Sequence, residues 1–224
     1  MPRLSLGLGV HNIPKVGGAA PSSLLSGLLA YWKLDTTSWL DSSGNGYTLS
    51  NNGGVTNAAG IINNGALFGG EQYLKTTSFP TITGNFCISC WVKSTNTQAQ
   101  QTFIESPVEN ALNVYFINGG LSVDDYLNPS DIFEVGSFSN NTWYNIVIVK
   151  DNGVVSAYSN GTFLANTTQD INIANGIGIG GSSYLSDYWT FGVVDEVAVW
   201  NRALTGAEIT SLYNAGAGKT YPFT

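Results

Sequence analysis

Two Asn-Gly pairs eight residues apart, Asn152-Gly153 and Asn160-Gly161, constrain the fold of this chain more than any other feature. Each stands between apolar runs, in Asp151-Asn-Gly153 and Ser159-Asn-Gly161. Asn and Gly both accept positive φ, so a two-residue link of this kind closes a tight antiparallel hairpin. The runs Trp143 to Lys150 and Val154 to Tyr158 are then neighbouring strands. Phe86 to Lys93 fits the same scheme, with Phe86, Ile88, Cys90 and Val92 on one face and Trp91 on the other. Leu28 to Leu34, Ala111 to Ile117 and Gly192 to Trp200 read as further strands.

Composition agrees with many short strands joined by polar turns: 27 glycines, 12% aromatic residues and only 10% charged residues. One helix is expected. Thr205 can cap it, Glu208 completes a capping box, Ile209 and Leu212 give it an apolar stripe, and Gly216 offers a stop. The closing segment Val193 to Tyr213 therefore runs from a strand through a turn into that helix.

Several function classes drop out. A formal charge of −7 with only 8 Lys and Arg argues against a nucleic-acid surface. No apolar run approaches a membrane span, which leaves a soluble globular class. Cys87 and Cys90 are three apart in an extended strand, so their thiols point to opposite faces and make neither a redox pair nor half a zinc site.

Residues 1–26 read as an arm and residues 27–224 as one domain. The apolar stretch after Met1 is short and broken by glycine, with Lys15 where a cleavage site would fall, so no export signal is expected. Val16-Gly-Gly-Ala-Ala-Pro-Ser-Ser23 has a linker composition. Arg3-Leu-Ser-Leu-Gly-Leu8 followed by Lys15-Val-Gly-Gly-Ala-Ala-Pro21 resembles the start of some bacteriophage virion proteins. The arm is thus either an unstructured tail or a docking peptide for other virion proteins.

An ordered set of motifs carries a second resemblance. It comprises Gly27-Leu-Leu-Ala-Tyr-Trp-Lys-Leu-Asp35, Asp41-Ser-Ser-Gly-Asn-Gly46, Gly65-Ala-Leu-Phe68, Phe86-Cys-Ile-Ser-Cys-Trp-Val-Lys93 and Thr142-Trp-Tyr-Asn-Ile-Val-Ile-Val-Lys-Asp151. Tyr158-Ser-Asn-Gly161, Ile179-Gly-Gly181 and Asp195-Glu-Val-Ala-Val-Trp-Asn-Arg-Ala-Leu204 complete it. Together these resemble the laminin-G-like branch of the concanavalin A-like lectin/glucanase superfamily, from Gly27 to about Ala217. The resemblance implies an all-β fold, a two-sheet antiparallel jelly-roll sandwich with one short C-terminal helix. It also implies a scaffold used for carbohydrate or protein recognition and sometimes for glycan cleavage; fold alone does not choose among them.

Cleavage is not expected. The hydrolase branch's Glu-x-Asp-x-(x)-Glu strand is missing, and Asp195 and Glu196, being adjacent, should face opposite sides of their strand. The resemblance implies a structural calcium ion near the meeting of the chain ends, with Asp35, Asp41 and Asp195 as ligands. The same Asp41 to Gly46 segment also reads as an ordinary Asx turn.

Trp32, Trp91, Trp143 and Trp200 lie inside the matched strands and read as packing residues. Trp39, Tyr126, Tyr184, Asp187, Tyr188 and Trp189 lie in loops and are the candidate ligand contacts. Flat aromatic faces flanked by Asp or Asn suit a pyranose, although loop aromatics also cap the ends of a sandwich. Two functions follow. One is a non-catalytic glycan-binding or adhesion module on a virion, or alternatively secreted or at a cell surface. The other is a structural or decoration protein of a phage particle that uses the jelly roll for protein contacts. An accessory domain of a secreted enzyme is a weaker third.

Overall fold

The computed structural model describes residues 23–76, 78–125, 133–183 and 187–223. Two antiparallel sheets face each other, with strands numbered in chain order. The first sheet runs β13 (Thr162–Thr167), β12 (Val154–Ser159), β11 (Tyr144–Asp151), β6 (Phe86–Ser94), β15 (Phe191–Trp200), β4 (Asn64–Gly69) and β3 (Thr56–Ala59). In addition, β1 (Leu28–Trp32) pairs with β15. The second runs β10 (Phe133–Val135), β9 (Gly120–Asp124), β8 (Asn113–Ile117), β7 (Gln101–Glu105), β14 (Ile177–Ile179), β5 (Tyr73–Thr76) and β2 (Ser50–Asn52). This is the expected jelly-roll sandwich.

The hairpins behave as the Asn-Gly pairs require. Asn152 and Gly153 have φ of 49° and 82°, and Asn160 and Gly161 have 51° and 75°. A third pair, Asn118-Gly119, closes β8 onto β9 in the same way. Along β6 the alternation holds: Phe86, Ile88, Cys90 and Val92 enter the core between the sheets, while Cys87 faces outward. Both thiols are unpaired and buried, and burial pushes both pKa values up, so they stay protonated.

Trp32, Phe68, Phe86, Phe103 and Phe116 fill the space between the sheets. A smaller cluster covers the outer face of the first sheet, where Trp200, Tyr31 and Cys87 meet Ile209 and Leu212 of the helix and Phe223 of the C-terminal segment. The helix, α1 (Gly206–Tyr213), carries the expected capping box between Thr205 and Glu208. It stops before Gly216, because Asn214 takes the left-handed conformation at φ 48° and caps it.

The chain on the arm side of Gly27 joins this cluster. Leu24 is buried, and its carbonyl accepts a 2.7 Å hydrogen bond from Trp200 Nε1. Arg202 donates to the Ser23 and Ser26 carbonyls at 2.9 and 2.7 Å. Its guanidinium also forks onto Glu208 at 2.7 and 3.0 Å, which draws the Glu208 carboxyl down to about 2. Because one guanidinium ties two chain ends together, Arg202→Ala is expected to lower stability by about 1–3 kcal/mol. A urea melt with an unmoved midpoint would show that the clamp contributes nothing. Residues 1–22, with both segments of the virion-like motif, lie outside the described residues.

One strand departs from simple alternation. β15 is flanked on one side by β6 and on the other first by β4, at residues 191–194, and then by β1, at residues 197–200. A β-bulge opens between Asp195 and Ala198, and Glu196 sits there at φ 50°. Asp195 fills the seam, its Oδ2 accepting from Ile61 and Ile62 N–H at 2.9 and 3.1 Å and its Oδ1 from Glu196 N–H at 2.8 Å. Both carboxyls of the adjacent pair are buried.

Candidate functional site

The outward face of the second sheet is where polar chemistry collects. Its inward residues, among them Leu74, Val114, Phe116, Leu121, Val123, Ile177 and Ile179, belong to the core. Period-2 alternation then turns Ser50, Asn52, Tyr73, Lys75, Glu105, Asn113, Tyr115, Ser122 and Asp124 to the other side. One cross-strand row runs Ser50–Lys75–Gly178–Glu105–Asn113–Asp124, each residue opposite the next. At about 4.8 Å per strand it spans roughly 24 Å.

The two ends of this row differ. Toward β9 it is buried and hydrogen-bonded. Asp124 accepts from Asn113 Nδ2 at 3.0 Å and from Tyr115 Oη at 2.9 Å. Burial and the Asp124 carboxylate push the Tyr115 hydroxyl upward, so it remains a donor. Glu105 accepts from the Ser183 N–H and hydroxyl, both at 2.6 Å. Asn113 Oδ1 and Ser122 Oγ are buried without partners among the described residues. In the middle, Gly178 supplies no side chain, and a Cβ there would meet Glu105 Oε1 at 2.7 Å. Toward β2 the row opens into a cleft of about 250 Å³ lined by Ser50, Asn52, Tyr73 and Lys75.

Above that open end lies the loop expected to hold a ligand. Trp189 packs beside Gly181 and lies nearly parallel to Tyr73, with ring centroids 6.2 Å apart and planes 12° apart. The loop backbone is fastened to the sheet: Thr102 N–H donates to Tyr188 O at 2.8 Å, Ser182 N–H to Asp187 O at 3.1 Å, and Thr190 Oγ1 to Thr102 O at 2.8 Å. Asp187 is exposed, and its Oδ1 accepts from Tyr188 N–H at 2.8 Å. So Asp187, Tyr188 and Trp189 are brought to one rim, with Tyr188 and Trp189 half-buried. Tyr126 and Tyr184 lie outside the described residues.

Trp39 is a correction. It is 3% exposed and belongs to the core between the sheets, so it is not a surface contact. Its position in a short polar loop suggests exposure, but a left-handed turn at φ 51° folds the indole inward. Of the other tryptophans, Trp32 and Trp200 are fully buried and Trp91 stacks on Tyr213, as read from their strands, whereas Trp143 is half-buried just ahead of β11 and lies under the Lys93 ammonium at 5.0 Å.

The calcium ligands do not fit the ion. Asp41 spends its carboxylate on the N–H groups of Tyr31, Ser43 and Tyr47 at 2.9–3.0 Å, which is the Asx turn of the alternative reading. Asp195 is saturated by backbone N–H groups, and Asp35 Oδ1 accepts from Asn64 N–H at 3.1 Å. Asp35 and Asp195 are close enough for the charge of one to raise the other, but Asp41 turns elsewhere. No cluster of three acidic, histidine or cysteine side chains able to hold a metal occurs among the described residues.

A two-sheet antiparallel jelly roll with a polar outer face on its second sheet is the class that this geometry defines. A laminin-G-type family model, described as concanavalin A-like lectin/glucanases superfamily, matches residues 68–210, and the chain belongs to that superfamily. No curated protein matches the sequence. Among solved structures it is similar to domain 4 of an extracellular GH43 arabinanase from Geobacillus stearothermophilus, in complex with arabinotriose. The TM-score is 0.65 at 22% identity, over 82% of this chain and 96% of that one. It is also similar to the binding domain of paraclostridial mosquitocidal protein 1, with TM-score 0.68 and 17% identity over 86% of this chain and 53% of that one. A third is botulinum neurotoxin type C, whose cell entry depends on two ganglioside molecules (TM-score 0.66, 16% identity, 85% and 51% coverage). The chain thus spans about half of those toxin chains, and identities this low establish the fold alone. No helix among the described residues is long and apolar enough to cross a membrane.

Proposed function

We propose that this protein is a non-catalytic glycan-binding module whose recognition surface is the open end of the second sheet. The observation that carries the reading is the near-parallel Tyr73–Trp189 pair beside a cleft lined by Ser50, Asn52 and Lys75. Aromatic rings cover the apolar side of a sugar, and short polar side chains pair its hydroxyls. Similar domains of an arabinanase and of a neurotoxin meet arabinotriose and ganglioside, which supports the same ligand class here.

Glu105 and Asp124 share this face, but each is turned to protein partners, which favours binding over hydrolysis. The virion setting, with residues 1–26 as tether, is supported by the resemblance of Arg3–Leu8 and Lys15–Pro21.

A glycan microarray tests the function. The protein should retain at least one saccharide class, and Trp189→Ala should weaken it at least tenfold while the melt stays within about 1–2 kcal/mol. Retention of no saccharide, or retention indifferent to both Trp189→Ala and Tyr73→Ala, would leave the decoration-protein reading in its place.

A further inference from the structure

We infer that the cleft takes a carboxylate-bearing saccharide residue, with the Lys75 ammonium as its counter-ion; this rests on the glycan-binding reading above. Six of the eight cations lie among the described residues, and four of those six are engaged. Arg202 and Lys150 form the two salt bridges among the described residues. Lys150 is held by the Thr83 carbonyl, Asp170 and Asn172, Lys93 lies over Trp143, and Lys219 donates to Ser211. The ammonium groups of Lys33 and Lys75 make no ion pair or hydrogen bond among the described residues, and Lys75 is the one that lines the cleft.

Its placement is specific. Lys75 stands opposite Ser50 on one side and Gly178 on the other, two positions along the strand from Tyr73. The Glu105 side chain fills the space over Gly178, and its Oε1 accepts from the Ser183 N–H and hydroxyl. A sugar ring lying against Tyr73 would therefore present a ring substituent to the ammonium. Ser50 and Asn52 on the same wall can pair its hydroxyls. A cleft of about 250 Å³ suits one ring rather than a chain. In a molecule of net charge −7, an unpaired ammonium in a polar cleft is the feature that would draw in an anion.

The test compares each acid with its own neutral form: oligogalacturonides against their methyl esters, and sialyllactose against lactose. Titration calorimetry on the full chain should show at least one acidic member bound about tenfold or more tightly than its neutral counterpart, with the ratio shrinking as salt is raised. Lys75→Gln should bring the ratio to about one, and Lys75→Arg should preserve it. Equal binding of acid and neutral forms, or a preference that survives Lys75→Gln, overturns the inference while leaving a Trp189-dependent glycan module intact. Absence of all saccharide binding by the unmodified protein overturns both.

Discussion

Between about pH 4 and pH 8 the protein is expected to lose several kcal/mol of folding stability as the pH rises. Burial lifts the Asp195 carboxyl to about 7 despite the N–H groups of Ile62, Ile61 and Glu196, and it lifts Glu196 to about 8. The Thr220 hydroxyl faces Glu196 and pulls it partly back, but the two fall outside hydrogen-bond geometry. Both Glu196 oxygens and Thr220 Oγ1 have no hydrogen-bond partner among the described residues. An acid with a raised native pKa holds its proton in the fold after the unfolded chain, at about 4, has released it. The native state then binds more protons across that window, so stability is full at low pH and declines until the native groups also ionise. Every tenfold gain in proton affinity on folding is worth about 1.4 kcal/mol.

Glu208 works the other way. Held at about 2 by Arg202, it adds stability that is lost only as the pH falls below about 4, so the optimum should lie near pH 4. Glu196→Gln is the informative variant because no hydrogen bond depends on the carboxylate. It should melt about 3–5 kcal/mol above the unmodified protein at pH 9 and nearly with it at pH 5. Urea midpoints that are the same at pH 5 and pH 9 in both proteins would rule out the buried acids as the cause.

Gly180→Ala should be among the most damaging single methyl additions at the described glycines. At φ 96°, Gly180 occupies backbone that alanine adopts poorly, and an added Cβ would lie 2.0 Å from Phe68 Cε1 in the core. The same residue hinges the ligand loop: its N–H donates to Phe103 O at 3.2 Å, and its carbonyl accepts from Thr190 N–H at 2.9 Å. Overpacking and backbone strain together should cost about 2–5 kcal/mol. Because Gly180 anchors the loop that carries Trp189, saccharide retention should fall in step. A variant that melts normally would mean Phe68 has room to move that its packing does not suggest.

Much of the sandwich can be read from the chain because its signals are local. Asn152-Gly153 and Asn160-Gly161 fix their hairpins without help from distant residues, and the alternation of β6 sorts Cys87 from Cys90. Thr205 and Glu208 announce a helix within four residues. The site is legible only in part. Trp189 stands out as a loop aromatic, but its partner Tyr73 lies 116 positions earlier, and Ser50 joins Lys75 through strand pairing that no local pattern encodes.

Sequence and structure part where tertiary packing overrides a local cue. Trp39 looks exposed because Thr, Ser and Asp surround it, yet the core takes an indole there. Asp195 and Glu196 look like ordinary strand neighbours, and nothing nearby signals the bulge created where β4 hands over to β1.

The fastening of Ser23–Ser26 to Trp200 and Arg202 also sets an orientation. That clasp sits on the outside of the first sheet, and the Tyr73–Trp189 rim sits on the outside of the second, so the sandwich thickness separates anchorage from contact. A carrier that gripped the module at Ser23–Ser26 would hold it by its first sheet, with the outer face of the second turned the other way.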